Sequence, residues 1–137
     1  MKLAKRRAGC MVAAMTRMHF TANDTELALS ALGRLMERHG QAPLGAADVI
    51  VALGGDGFLL STLRQNSGLP VYGMNRGTVG FLMNDYDEDD LPQRIGAAEE
   101  TVINPLSMVA GAPDGAEHRA LAINEVSLLR AGPQAAK

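Results

Sequence analysis

Cysteine is almost absent from this sequence: Cys10 is the single one among 137 residues. It has no partner within the chain, and no Cys/His cluster has metal-ligand spacing. Disulfide scaffolds and zinc modules are thereby excluded, and a reducing cytoplasm is the expected compartment. Positive charge is not in excess either. Thirteen Lys and Arg against fifteen Asp and Glu give a formal net charge of −2 and a sequence pI of about 5.9. No overall field draws the phosphates of a nucleic acid, so a nucleic-acid partner is not expected. Long hydrophobic runs are missing as well: the strongest in the body, Val49 to Leu53, ends at Gly54 and is far too short to cross a bilayer. No internal repeat or low-complexity tract is present beyond a mildly Ala-rich end. What remains is 47% hydrophobic and 20% charged residues in a chain of single-domain size, which is the composition of a folded globular protein.

The basic residues are unevenly placed. Lys2, Lys5, Arg6, Arg7 and Arg17 all precede the first acid, Asp24, and the small apolar stretch Ala8 to Met15 weakly imitates a signal or transit peptide. Residues 1–16 are read here as a disordered basic extension, with Met15 or Met18 as an alternative start. From Arg17 the pattern is regular. Arg17 to Ala22 has strand character, and Asn23-Asp-Thr-Glu26 supplies a capping-box arrangement for a helix ending near Gly40. Leu29, Leu32 and Met36 mark its apolar face, with Ala28 and Leu35 beside it. Asp48 to Leu53 is a β-branched apolar run that predicts a parallel strand covered on both faces. A helix over Phe58–Gln65 and a strand over Pro70–Met74 follow.

The acidic group Asp85, Asp87, Glu88, Asp89 and Asp90 precedes a short helical stretch, Leu91 to Ile95. It suits the positive end of the helix dipole better than a metal site, because the carboxylates lack interleaved ligand spacing. Beyond Thr101 two strand-like runs, Thr101–Ala110 and His118–Arg130, flank a turn-rich Gly111–Gly115 and predict a hairpin. The expected organisation is therefore a three-layer α/β domain with a parallel sheet over residues 17–100. Residues 101–137 would be the opening of a β-rich domain that stops short at Lys137, because two strands alone are marginal in water.

The strongest chemical signal is Gly54-Gly-Asp56-Gly57 between a buried strand and a helix. Glycines there permit positive φ and let a phosphate approach backbone N–H groups at a helix start. It is neither a Walker A loop, which needs Gly-Lys-Ser/Thr, nor the spaced glycine fingerprint of dehydrogenases. A carboxylate among phosphate-binding glycines points to a base or a metal partner, although a tight turn whose Asp bonds its local amides fits the same spacing.

Taken together, Gly54-Gly-Asp-Gly57, then Met74-Asn-Arg-Gly-Thr-Val-Gly-Phe-Leu82, then Asn124-Glu-Val126, resemble the NAD kinase family, from about Arg17 to Lys137. The first motif alone is shared with lipid kinases of the diacylglycerol type and with phosphofructokinases; the three in this order are far more specific. The resemblance implies a Rossmann-like α/β fold and transfer of the ATP γ-phosphate to the 2′-hydroxyl of NAD, assisted by a divalent metal, Mg²⁺, to give NADP. It implies Asp56 as the catalytic base, with Gly54, Gly55 and Gly57 around the ligands. It places Asn75 and Gly77 in the segment lining the site, Phe81 near the adenine of NAD, and Asn124 and Glu125 on NAD. No residue is assigned to a metal. The family precedent implies a homo-oligomer for the full-length form, small nucleotides as partners, and no membrane.

Each residue also has a plainer reading: Asn75 as a strand-end turn residue, Phe81 as core, and Asn124 with Glu125 as a solvated turn. Adjacent residues of a regular strand face opposite ways, so Asn124 and Glu125 share one ligand only at a strand end or bulge. Arg76 is a secondary candidate for a phosphate contact. His19, His39 and His118 read as structural or exposed. The chain departs from the family pattern at Phe58, where many members have Thr, and in length, since the later β-rich motifs have no counterpart before Lys137. A catalytically inactive nucleotide-binding remnant is the alternative, and a lipid kinase a weaker one.

Overall fold

A computed structural model describes residues 2–6 as backbone, and residues 16–66, 68–78, 80–129 and 132. The expectations for Ala8–Met15, Cys10 included, lie outside the described residues. Two compact units divide the chain, Met1–Ile103 and Asn104–Lys137.

The first unit is built on a five-stranded sheet of β1 (Lys2–Arg6), β2 (Met18–Ala22), β3 (Val49–Gly54), β4 (Pro70–Asn75) and β5 (Ala98–Val102), in the order β2-β3-β4-β1-β5. The first four strands run parallel, and β5 closes the far edge antiparallel to β1. Its helices are α1 (Glu26–His39), α2 (Asp56–Gln65) and α3 (Leu91–Gly96). The apolar run predicted as a covered parallel strand is the interior strand β3, and every residue of it is buried.

Alternation along β3 splits the core into two layers. Val49, Val51 and Leu53 pack with Met18, Phe20, Tyr72 and Met74 against Ala28, Ala31 and Leu35 of α1. Ile50 and Ala52 pack with Val71 against Leu59 and Leu63 of α2. The helices therefore cover opposite faces, which gives the expected three layers. The connections β2-α1-β3 and β3-α2-β4 both step the same way across the sheet, so helices on opposite faces give them opposite hands. One of the two departs from the right-handed rule for such crossovers. The carboxyl ends of the parallel strands β2, β3 and β4 share one edge of the sheet, the edge at which ligands of α/β proteins bind.

Several expectations are corrected. Residues 2–6 are not a disordered extension, because their backbone pairs with both β4 and β5. The α/β unit extends past residue 100, since β5 belongs to its sheet and the boundary falls after Ile103. Thr25, not Asn23, caps α1, its hydroxyl accepting from the Ala28 amide at 3.3 Å. The buried face of α1 is Ala28, Ala31 and Leu35, while Leu29 is 47% exposed. Small residues at positions 28 and 31 let the helix backbone lie close to the sheet, with Leu35 turned inward and Leu29 outward. The acidic residues do not cap α3 through their side chains. Glu88 instead pairs with Arg34 at 2.6 Å, Asp89 with Arg38 at 2.7 Å and Asp87 with Arg94 at 3.9 Å, tying this loop to α1 and α3.

The second unit contains the predicted hairpin in shorter form, β6 (Leu106–Gly111) with β7 (Glu117–Ala122) in antiparallel register. Gly115 occupies the left-handed region at φ 84°, as a tight turn requires.

Candidate functional site

Beyond the carboxyl ends of β3 and β4, two glycine-bearing segments interlock. Strand β3 runs to Gly54, Gly55 is the N-cap of α2, and Asp56 is already the helix's first residue. A single residue thus separates strand from helix. None of Gly54, Gly55 or Gly57 has a positive φ, so the expected reason for glycine is replaced by another: close approach. An added Cβ on Gly54 would meet the Phe58 ring at 3.1 Å, and one on Gly77 would meet the Gly55 backbone at 3.2 Å. Gly57 is different, since open space surrounds it.

No side chain caps the start of α2. Its first N–H groups and its dipole are therefore available to an anion.

The second segment leaves β4 at Asn75 and returns at Asn84. The Asn75 amide donates to the Asn84 carbonyl at 2.8 Å, and the Asn84 amide donates to the Gly73 carbonyl at 2.9 Å. Between these anchors the Arg76 amide reaches the Gly54 carbonyl at 2.8 Å, and the Asn75 carboxamide accepts from the Gly77 amide at 3.0 Å. Asp56 fastens the far side. One carboxylate oxygen accepts from the Phe81 amide and the other from the Leu82 amide, both at 3.0 Å. The turn reading of Asp56 as a partner of amides is thus correct in kind, but the amides come from another segment.

Gly54, Gly55, Asp56, Gly57, Asn75, Gly77 and Phe81 are brought together here. Phe81 is not core: 84% of it is exposed, which leaves its ring free for a flat ligand. Asn124 and Glu125 belong to the second unit. They follow the end of β7 at Ala122, so neither is constrained to the alternation of a strand. His19 is half-buried with Nδ1 2.9 Å from the Ala42 carbonyl, His39 stacks on Phe20, and His118 is exposed.

Sequence reasoning missed Tyr86. The Arg76 guanidinium lies 3.1 Å from the centre of its ring, and its hydroxyl donates to Glu88 at 2.5 Å while accepting from Arg34 at 3.3 Å. The Tyr86 hydroxyl, and after it the Arg34 guanidinium, hold the Glu88 carboxyl below the usual carboxylate range. No local pattern links positions 76 and 86, so only the return of the chain at Asn84 reveals the pair.

Residues 7–101 match the model of the ATP-NAD kinase N-terminal domain. The chain belongs to the NAD kinase family. It is 57% identical over 122 residues to a NAD kinase of Cereibacter sphaeroides, covering 88% of this chain and 48% of that protein. Against a NAD kinase of Caulobacter vibrioides the identity is 55% over 125 residues, covering 90% and 48%. A NAD kinase of Brucella suis is 52% identical over 122 residues, covering 88% and 48%. This NAD kinase family chain thus spans about half the length of the curated relatives it matches. Its paired glycine segments fall within the residues matched by the family model or the relatives.

Proposed function

We propose that this chain carries the catalytic turn of a NAD kinase, which moves the γ-phosphate of ATP to the 2′-hydroxyl of the adenosine ribose of NAD. The observation that carries the reading is the pair of interlocked segments with Asp56 between them, in a chain more than half identical to NAD kinases. The ribose 2′-oxygen forms the new bond to the γ-phosphorus, the bond to the bridging oxygen of the leaving ADP breaks, and the hydroxyl proton passes to Asp56. Each Asp56 oxygen has a lone pair beyond the amide it accepts from, so the carboxylate can take a hydroxyl while the two amides fix its direction. A loose phosphoryl-transfer transition state asks more for such positioning than for early deprotonation.

In the same reading Gly55, Gly57 and the open α2 terminus face phosphates, Asn75 and Gly77 shape the wall, and Phe81 stacks on the adenine. Asn124 and Glu125 hold NAD, and Asn104–Lys137 opens the β-rich domain. Among the described residues no group of three or more His, Cys, Asp or Glu side chains gathers to hold an ion. In this reading Mg²⁺ would accompany the donor phosphates and would supply charge neutralisation there. No described helix is long and apolar enough to cross a membrane; a cytoplasmic place and a homo-oligomeric full-length form complete the proposal.

The test is NADP formation from NAD, ATP and Mg²⁺, read with an NADP-specific dehydrogenase, for the purified chain and its Asp56→Asn variant. Product from the first and none from the second supports the assignment. No product from the unmodified chain, with its fold intact, refutes activity in this chain, and undiminished product from the variant refutes the role of Asp56.

A further inference from the structure

Arg76 is the cation of the site, and its surroundings are unlike those of the other arginines near it. Arg34, Arg38 and Arg94 each pair with a carboxylate, Glu88, Asp89 and Asp87 in turn. Arg76 has no carboxylate or carbonyl acceptor for its guanidinium among the described residues. Its Nε is shut away from solvent without an acceptor, which leaves the two terminal nitrogens as the open end. The group is nevertheless held. Its plane rests on the Tyr86 ring at 3.1 Å, and that ring is fixed through its hydroxyl by Glu88 and Arg34. At its root, the Arg76 amide is bonded to Gly54, one residue from the uncapped start of α2. A half-buried guanidinium that is oriented by stacking and left without an anion suits an oxyanion delivered by a ligand.

We propose that Arg76 binds a phosphate group of the nucleotide through its terminal nitrogens, as a positioning and affinity residue set by Tyr86. The assignment to a nucleotide rests on the proposed function. The phosphate comes from either the donor triphosphate or the pyrophosphate of the acceptor, two sources of one chemistry.

Inorganic tripolyphosphate is the first probe. The chain has two tyrosines and no tryptophan, and Tyr72 is buried, so a change in emission that persists in Tyr72→Phe reports on Tyr86. Saturable quenching or enhancement is expected, with the dissociation constant raised about tenfold or more in Arg76→Gln and partly restored in Arg76→Lys. Calorimetric titration of ATP and of NAD then shows which ligand loses affinity in Arg76→Gln, and a melting temperature for each variant separates lost binding from lost folding. Tripolyphosphate binding that is absent, or equal in a folded Arg76→Gln variant, overturns the inference. Binding that depends on Arg76 without NADP formation sinks the kinase reading alone. NADP formation with unchanged KM for both nucleotides in Arg76→Gln sinks the role of Arg76 alone.

Discussion

Replacing Asp56 by Ala removes more than a chemical group, because its carboxylate is the fastening between α2 and the Gly80–Leu82 backbone. Two amide donors at 3.0 Å lose their acceptor. Hydrogen bonds to a charged group contribute about 1.5–3 kcal/mol each. The bond from Phe81 lies in an exposed setting where water substitutes readily, so a combined loss of about 2–4 kcal/mol is expected once that bond is discounted. Removing a negative charge from the first turn of α2 costs a further ~0.3–1 kcal/mol at most. At about 4 °C per kcal/mol for a domain of this size, melting should fall by about 9–20 °C. Asp56→Asn keeps one acceptor but turns an NH₂ group towards the other amide, so it should lie between the two. The assay is thermal unfolding by circular dichroism combined with amide hydrogen exchange. Protection at Phe81 and Leu82 should collapse in Asp56→Ala while protection in β3 persists at temperatures where the fold holds. Wild-type melting, or unchanged exchange at those two amides, would refute the fastening. The kinetics of Asp56 variants are interpretable as proton transfer only after this structural loss is measured.

Other expectations are independent of Asp56. Gly77→Ala presses a methyl onto the Gly55 backbone at 3.2 Å, where no flexible side chain can yield; it should cost about 1–3 kcal/mol, read from a urea midpoint, and a neutral result would mean the segments are not in contact. Leu35→Ala empties a fully buried position under β3 and should destabilise by about 2–5 kcal/mol in the same assay. Asp48 accepts from the Arg17 side chain and amide, which hold its carboxyl down to about 2. The sign follows from the lowered folded-state value: its contribution is present above the ordinary carboxylate range near 4 and fades as pH falls through about 2. Both partners are exposed, so the effect on stability is screened by salt, but carbon-detected NMR titration should show Asp48 returning towards the ordinary range in Arg17→Ala.

Parts of this architecture were legible because they depend on near neighbours. The apolar run of β3, the glycines that end it, and the helix that follows are all set by residues a few positions apart. Other parts depend on distant partners that the local pattern does not encode. A short basic strand such as Lys2–Arg6 carries no periodicity that announces pairing with β4 and β5. Which face of α1 is buried was decided by how closely Ala28 and Ala31 let it approach the sheet, not by the size of Leu29. The acidic residues before α3 read as a cap because their arginine partners lie on α1 and α3. In the site, Asp56 and Phe81 were both legible from motifs, yet the amides that join them and the Arg76–Tyr86 stack emerge only when the segment folds back at Asn84.

The strand order also bears on how the chain is made. Lys2 is synthesised first, yet its partners are Pro70 and Val102. During synthesis β2, β3 and β4 can assemble in turn as each emerges, while β1 waits for both neighbours. β1 is then a strand without neighbours until β4 has emerged, and its pairing with β4 and β5 fixes contacts of high sequence separation late. The seam between β1 and β4 is where slow folding and capture by a chaperone should concentrate, although the glycine-bearing turn at the end of β3 lies among strands that can already have paired.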